Sequence, residues 1–132
     1  MMVTRVNPPG LARPSGFSHA VVAEGSRVVF LSGQTGMDAT GGIVGGGLVA
    51  QFEQALANLL AALAAAGGRP EQLASLTVYI VDMDDYRARA RDVGAVWRRL
   101  VGRDYPAMAG IGVSRLWDAE AVVELQGAAV LP

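Results

Sequence analysis

Glu124 is the side chain whose type and setting point most directly to chemistry, because it is a carboxyl group set among apolar residues in an alternating strand. From Ala121 onward the alternation places Val122, Glu124, Gln126 and Ala128 on one face, with Val123, Leu125 and Ala129 on the other. In the preceding segment Met108, Gly110, Gly112 and Ser114 share a face, and Ala109, Ile111 and Val113 share its opposite. Read as one wall, these two strands set Glu124 beside a row of small residues, where glycine lets a ligand approach the backbone closely. A carboxyl group there can serve as acid or base, with Gln126 to orient it. Such a face suits a ligand or a second subunit.

The other side chains exclude much. The chain has no cysteine, which removes thiolate nucleophiles, thiolate metal sites and disulfides. All eleven basic residues are arginine, so no lysine can form a Schiff base. His19 is the single histidine and has no partner at metal-ligand spacing. The expected cofactor complement is therefore none, and no metal is expected. A formal charge of −1 provides no general attraction to nucleic acid or anionic lipid. The longest unbroken apolar run, Leu59 to Ala66, is too short to span a bilayer. The first ten residues lack the apolar centre of a signal peptide, which makes the cytoplasm the expected location.

These side chains need a scaffold, and 132 residues suffice for a single domain, 1–132. A strand at residues 2–7 precedes the breaker Pro8-Pro9-Gly10, and residues 19–23 and 27–32 read as a hairpin around Glu24-Gly25-Ser26. After a glycine-rich connection, Leu48, Phe52, Ala55, Leu56, Leu59, Leu60 and Leu63 recur at helical spacing until Gly67-Gly68. Residues 73–81 read as a strand apolar on both faces. Residues 84–101 predict a second helix with Tyr86, Ala90, Val93, Trp97 and Leu100 buried, and a solvated side carrying Arg87, Arg89, Arg91, Arg98 and Arg99. The order β-β-β-α-β-α-β-β predicts an α+β domain with a mixed five- or six-stranded sheet and two helices on one face. Two helices cover only one face, so another copy of the chain is expected on the second.

The element order, with Ser32-Gly33-Gln34, Gln51, Asn58, Gly67, Pro106-Ala107 and Glu124, resembles the Rid/YjgF family over nearly the whole chain. The resemblance implies a chorismate mutase-like fold, a homotrimer with three intersubunit clefts and, in the deaminating branch, hydrolysis of reactive enamines and imines to a keto acid and ammonia. It also implies a water-positioning or water-activating role for Glu124.

Several expected cleft residues differ. The family's glycine-proline-tyrosine loop reads Ser15-Gly16-Phe17, which keeps the ring without the hydroxyl. Met108 stands where the deaminases carry an arginine for the substrate carboxylate, Gly110 where a cysteine is common, and Ala90 where an asparagine is expected. Losing one member of a buried charged pair costs about 2 to 5 kcal/mol, so ordinary keto-acid imines are expected to be poor substrates. Arg115 lies an odd number of residues from Met108 and cannot replace that cation without a bulge.

Glu124 is thus the expected catalytic residue. Phe17, Ser32, Met108, Gly110, Trp117 and Gln126 are the expected ligand-binding residues. The expected function is Glu-assisted water or proton chemistry on a small imine, enamine or related unsaturated metabolite. The alternative is a non-catalytic trimer that binds a small ligand or a partner. Endoribonuclease-like activity ranks lower, since the arginines of the second helix lack interleaved aromatics and the chain lacks the usual histidine or lysine apparatus, so nucleic acid is not an expected partner.

Overall fold

The strand Leu73–Ile80 (β4) shows how the sheet acquires two unlike faces in the computed structural model, which describes residues 2–132. Leu76, Val78 and Ile80 are buried, while Ser75, Thr77 and Tyr79 alternate with them on the other side. The strand is therefore not apolar on both faces as its composition suggests: threonine and tyrosine are good strand formers, and with serine they bring hydroxyls without charge.

Before β4 come β1 (Met2–Val6), β2 (Ala20–Glu24), β3 (Arg27–Thr35), α1 (Leu48–Ala65) and a 3₁₀ turn, Pro70–Gln72. After it come α2 (Met83–Ala88), α3 (Ala90–Leu100), β5 (Ala107–Gly112) and β6 (Val123–Leu131). Four strands form a mixed sheet in the order β3-β6-β4-β5, with β4 and β5 parallel and the other pairs antiparallel. The β1-β2 pair lies outside this ladder, and a bridge from Ser18 to Ala107 links the approach to β2 with β5. The result is an α+β domain of the expected class.

Three local expectations change. First, β2 and β3 do not form a hairpin: β2 pairs with β1, and β3 pairs with β6. The cause is visible at Gly25, where any Cβ would collide with the Leu131 carbonyl, and at Ser26, whose amide donates to that carbonyl at 3.0 Å. The chain reversal is thereby pressed against the end of β6. Second, the second helix is two helices. Asp82 caps α2 by accepting from the Asp85 amide at 3.0 Å, and Arg89, with φ −105° and ψ 15°, interrupts the helix before α3. No glycine or proline marks the break, so periodicity runs through it. Tyr86 packs edge-on against Phe52, and α3 buries Val93, Val96 and Trp97, but Ala90 just past the break is exposed. Third, β4 separates β5 from β6, so the strands of the anticipated wall are not neighbours.

The core lies between the sheet and α1, whose buried stripe includes Leu48, Phe52, Ala55, Leu56, Leu59 and Leu63. Each buried leucine or phenylalanine of that stripe contributes about 1.5–3 kcal/mol of transfer free energy. By length and composition α1 would pass for a membrane span, but that stripe is occupied by the sheet. The helix ends in a Schellman motif: the Gly68 amide donates to Leu63 O at 2.9 Å, the Gly67 amide to Ala64 O at 3.0 Å, and Gly67 adopts φ +92°.

Polar side chains of α1 tie the sheet ends in place. Buried Gln51 accepts from the Val122 amide at 2.9 Å and donates to Glu120 O at 3.1 Å. Asn58 donates to Thr35 O at 3.2 Å and Met37 O at 2.8 Å, while accepting from Gln54 at 2.9 Å. These contacts hold the residues on either side of Glu124. Removing both Gln51 hydrogen bonds strands the Val122 amide, so Gln51→Ala should lower the unfolding free energy by about 2–3 kcal/mol in urea denaturation. A midpoint unchanged from the parent would show that the clamp is dispensable.

Candidate functional site

Glu124 stands on the face of the sheet that carries no helix. Strand register places Ile111, Tyr79, Glu124 and Thr35 in one row across β5, β4, β6 and β3. The next rows hold Ala109, Thr77 and Gln126, then Ala107, Ser75, Ala128 and Phe30. Glu124 is the only acidic or basic side chain in these rows.

The Ser32-Gly33-Gln34 motif supplies the space beside it. Register between β3 and β6 shifts between Leu31 and Gln34, which leaves Ser32 and Gly33 opposite the single residue Gln126. A Cβ on Gly33 would collide with Glu124 Oε2, so the absence of a side chain lets the carboxyl group lie against the β3 backbone. Gln126 is oriented in turn by Tyr79, whose hydroxyl donates to its Oε1 at 3.0 Å. Among the described residues no donor satisfies the Glu124 carboxyl. Thus Glu124 and Gln126 share one face of β6, and Ser32 lies at the register shift opposite Gln126. Tyr79 and Gly33 complete the cluster. Tyr79 was hidden by a strand that reads as uniformly apolar, and Gly33 by the ordinary use of glycine in turns.

Met108 and Gly110 are elsewhere, which corrects the single-wall arrangement. In the parallel register Met108 aligns with Leu76, Gly110 with Val78 and Gly112 with Ile80, so this parity belongs to the helix-covered face and Glu124 to the other. A Cβ on Gly110 would meet Ile80 Cδ1 at 3.5 Å, and one on Gly112 would meet Met83 Cε at 3.8 Å. Parity within each strand is as anticipated. What sequence alone does not reveal is which parity of β5 faces the same way as Glu124.

Met108, Gly110 and Phe17 instead line a groove of about 550 Å³ between α3, β5 and the Ser15-Gly16-Phe17 loop. Gly16, at φ +76°, makes the turn that presents Phe17. Buried Ser18 then anchors that loop to the start of β5, donating from its amide to Pro106 O at 3.0 Å and from its hydroxyl to Tyr105 O at 2.7 Å. His19 is held by Ala12 O, 2.7 Å from its Nε2, and stands edge-on to Phe17 at 5.1 Å, so it supports the loop. Tyr86, Trp97 and Tyr105 add aromatic surface, Trp97 and Tyr105 being stacked at 5.8 Å. Burial pushes the Tyr86 phenol up, keeping it protonated as a donor. Trp97 Nε1 is buried without an acceptor among the described residues, a deficit of about 1–3 kcal/mol unless a ligand or solvent meets it.

The groove and the carboxyl group therefore occupy different faces of one chain. Trp117 belongs to neither. It is 92% exposed between β5 and β6, where its carbonyl and that of Leu116 take up the Arg115 guanidinium. The five arginines assigned to a solvated side also divide. Arg89 pairs with Asp85 at 2.7 Å and Arg99 pairs with Glu53, but Arg91 and Arg98 line the groove.

With this geometry established, the kinship of the chain is clear. The profile of the family described as Endoribonuclease L-PSP matches residues 10–131. The chain is 35% identical over 111 residues to the RutC family protein UK114 of Drosophila melanogaster, covering 83% of this chain and 75% of that protein. It is 30% identical over 116 residues to the human 2-iminobutanoate/2-iminopropanoate deaminase, covering 87% and 79%. Among solved structures, YyfB of Yersinia pestis, described as a Rid-family protein of unknown function, superposes with a TM-score of 0.86 at 35% identity, covering 99% and 100% of the two chains. RidA from an Antarctic Psychrobacter superposes with a TM-score of 0.70 at 28% identity, covering 91% and 92%. A profile match over nearly the full chain, relatives at 30% identity or more and the shared fold together place this protein in the Rid/YjgF family.

Proposed function

We propose that the chain works as a homotrimer whose intersubunit clefts join the Glu124 face of one copy to the groove of the next. There it would hydrolyse, hydrate or tautomerise a small imine, enamine or related unsaturated metabolite. The observation that carries this reading is the Glu124 carboxyl itself, held against Gly33 on an open face with no donor among the described residues. Its apolar surroundings support the assembly: Phe30 is 84% exposed, Val28 57% and Ile111 44%, a surface that a second copy would remove from water. The imine deaminases among the relatives support the reaction class.

In this scheme the Glu124 carboxylate takes a proton from water as the oxygen adds to the C=N carbon. The nitrogen gains that proton to give the carbinolamine; Glu124 then passes the carbinolamine's hydroxyl proton to the nitrogen as the C–N bond breaks, releasing the carbonyl product and ammonia. Ser32 and Gln126 orient water and substrate, while Phe17, Met108 and Gly110 contribute the opposing wall from the neighbouring copy. Trp117 would contact substrate only if assembly brought its exposed ring to the cleft mouth. RNA cleavage is disfavoured because His19 is engaged in holding its loop.

Glu124→Gln should lower kcat about 10²- to 10⁴-fold on any imine the parent hydrolyses, with KM little changed. Undiminished turnover would reject the catalytic role, and an absence of turnover in the parent would favour the ligand-binding alternative. Gly33→Ala should displace the carboxyl group, reducing kcat about tenfold while the urea midpoint holds or rises. A parallel loss of stability and activity would instead point to a purely structural glycine. Met108→Arg should restore a cation for short keto-acid imines and raise kcat/KM on 2-iminobutanoate roughly 30-fold or more; no gain would show that Met108 does not face the substrate.

A further inference from the structure

The groove contains cations that the chain leaves unmatched. Arg91 and Arg98 both line it and make no ion pair among the described residues, whereas Arg89 and Arg99 on either side of them are taken by Asp85 and Glu53. Seven residues apart, Arg91 and Arg98 share one stripe of α3 with Gly94 between them. Gly94 matters because a Cβ there would come within 3.2 Å of Arg98 Nη1, so the guanidinium folds back along the helix over the groove.

Among the described residues no aspartate or glutamate lines the groove to balance these charges. Tyr86, whose hydroxyl burial keeps protonated, belongs to the same walls, and behind them Trp97 Nε1 is buried without an acceptor among the described residues. Two exposed guanidinium groups without an ion pair among the described residues, set beside aromatic walls, concentrate positive potential at the groove. A volume of about 550 Å³ is generous for a three- or four-carbon acid and suited to a ligand with a ring or comparable apolar body.

We propose that this groove is a carboxylate site whose cations are Arg91 and Arg98 of α3, and that it accepts an aromatic or similarly bulky apolar carboxylate. The cation absent at Met108 is thereby replaced from the helix, farther along the groove, and the preferred substrate is longer than a simple keto-acid imine. As a statement about substrate this rests on the function proposed above, but ligand binding tests it independently of turnover.

The probes are phenylacetate and its neutral counterpart phenylacetamide, titrated into the assembled protein by calorimetry. Fluorescence of Trp97 in a Trp117→Phe background provides a second readout. Phenylacetate should bind at least about tenfold more tightly than the amide, and the preference should shrink as salt rises. Arg91→Gln/Arg98→Gln should erase the preference while leaving amide binding unchanged. Gly94→Ala, which improves helix propensity and so keeps the fold, should weaken phenylacetate binding several-fold by pushing Arg98 aside. Equal affinity for the two probes, no binding by either, or a preference that survives the double substitution would overturn the assignment. If the charge preference fails while turnover still depends on Glu124, only the groove assignment falls. If phenylacetate binds as expected but turnover is absent, only the catalytic reading falls.

Discussion

The seating of α1 on the sheet is the constraint on which the rest depends, because it decides which side of every strand is inside. Once Leu56, Leu59 and Leu63 occupy the helix-facing surface, Leu76, Val78, Leu125 and Leu131 must turn toward them. Strand alternation then forces Tyr79, Glu124 and Gln126 outward. A one-residue slip in β6 would bury Glu124 and expose Leu125, so the apolar contact fixes register as well as stability. Gln51 and Asn58 reinforce that choice from the same helix by satisfying backbone groups at Val122 and Thr35, immediately around the carboxyl group.

That constraint also divides the chemistry. The face outside the core carries a carboxyl group, an oriented amide and hydroxyls among apolar residues, while the groove on the other side carries aromatic rings and guanidinium donors. Neither half is a complete site for imine hydrolysis. Among the described residues the groove has no carboxyl or imidazole group, and the open face has no substrate-enclosing walls. Association of copies would solve both problems at once, since it would cover Val28, Phe30 and Ile111 and set the two kinds of surface opposite each other. Assembly and catalysis would then share one physical cause.

Much of this was legible in the sequence. Periodicity located α1, and strand parity paired Glu124 with Gln126. The motif residues have concrete duties: Gly33 makes room for a carboxyl group, Gly67 ends a helix, and Pro106 receives the amide of Ser18. What could not be read was lateral order. Alternation shows which residues of β5 share a face, but β4 lies between β5 and β6, and parallel pairing with β4 sends Met108 to the helix side. The break at Arg89 was equally silent because no glycine or proline marks it. Arg91 and Arg98 looked like a solvated face because charge patterning cannot show that Gly94 lets one of them fold back over a groove.

The central claim is that Glu124 and Met108, separated by the sheet within one chain, meet across a subunit boundary. The absence of cysteine allows a clean measurement. Chains carrying Glu124→Cys and chains carrying Met108→Cys would be mixed, co-assembled and treated with a short bis-maleimide. The account predicts a covalent dimer in the mixture far in excess of that formed by either variant alone. Cross-linking no greater in the mixture than in the separate variants would contradict it.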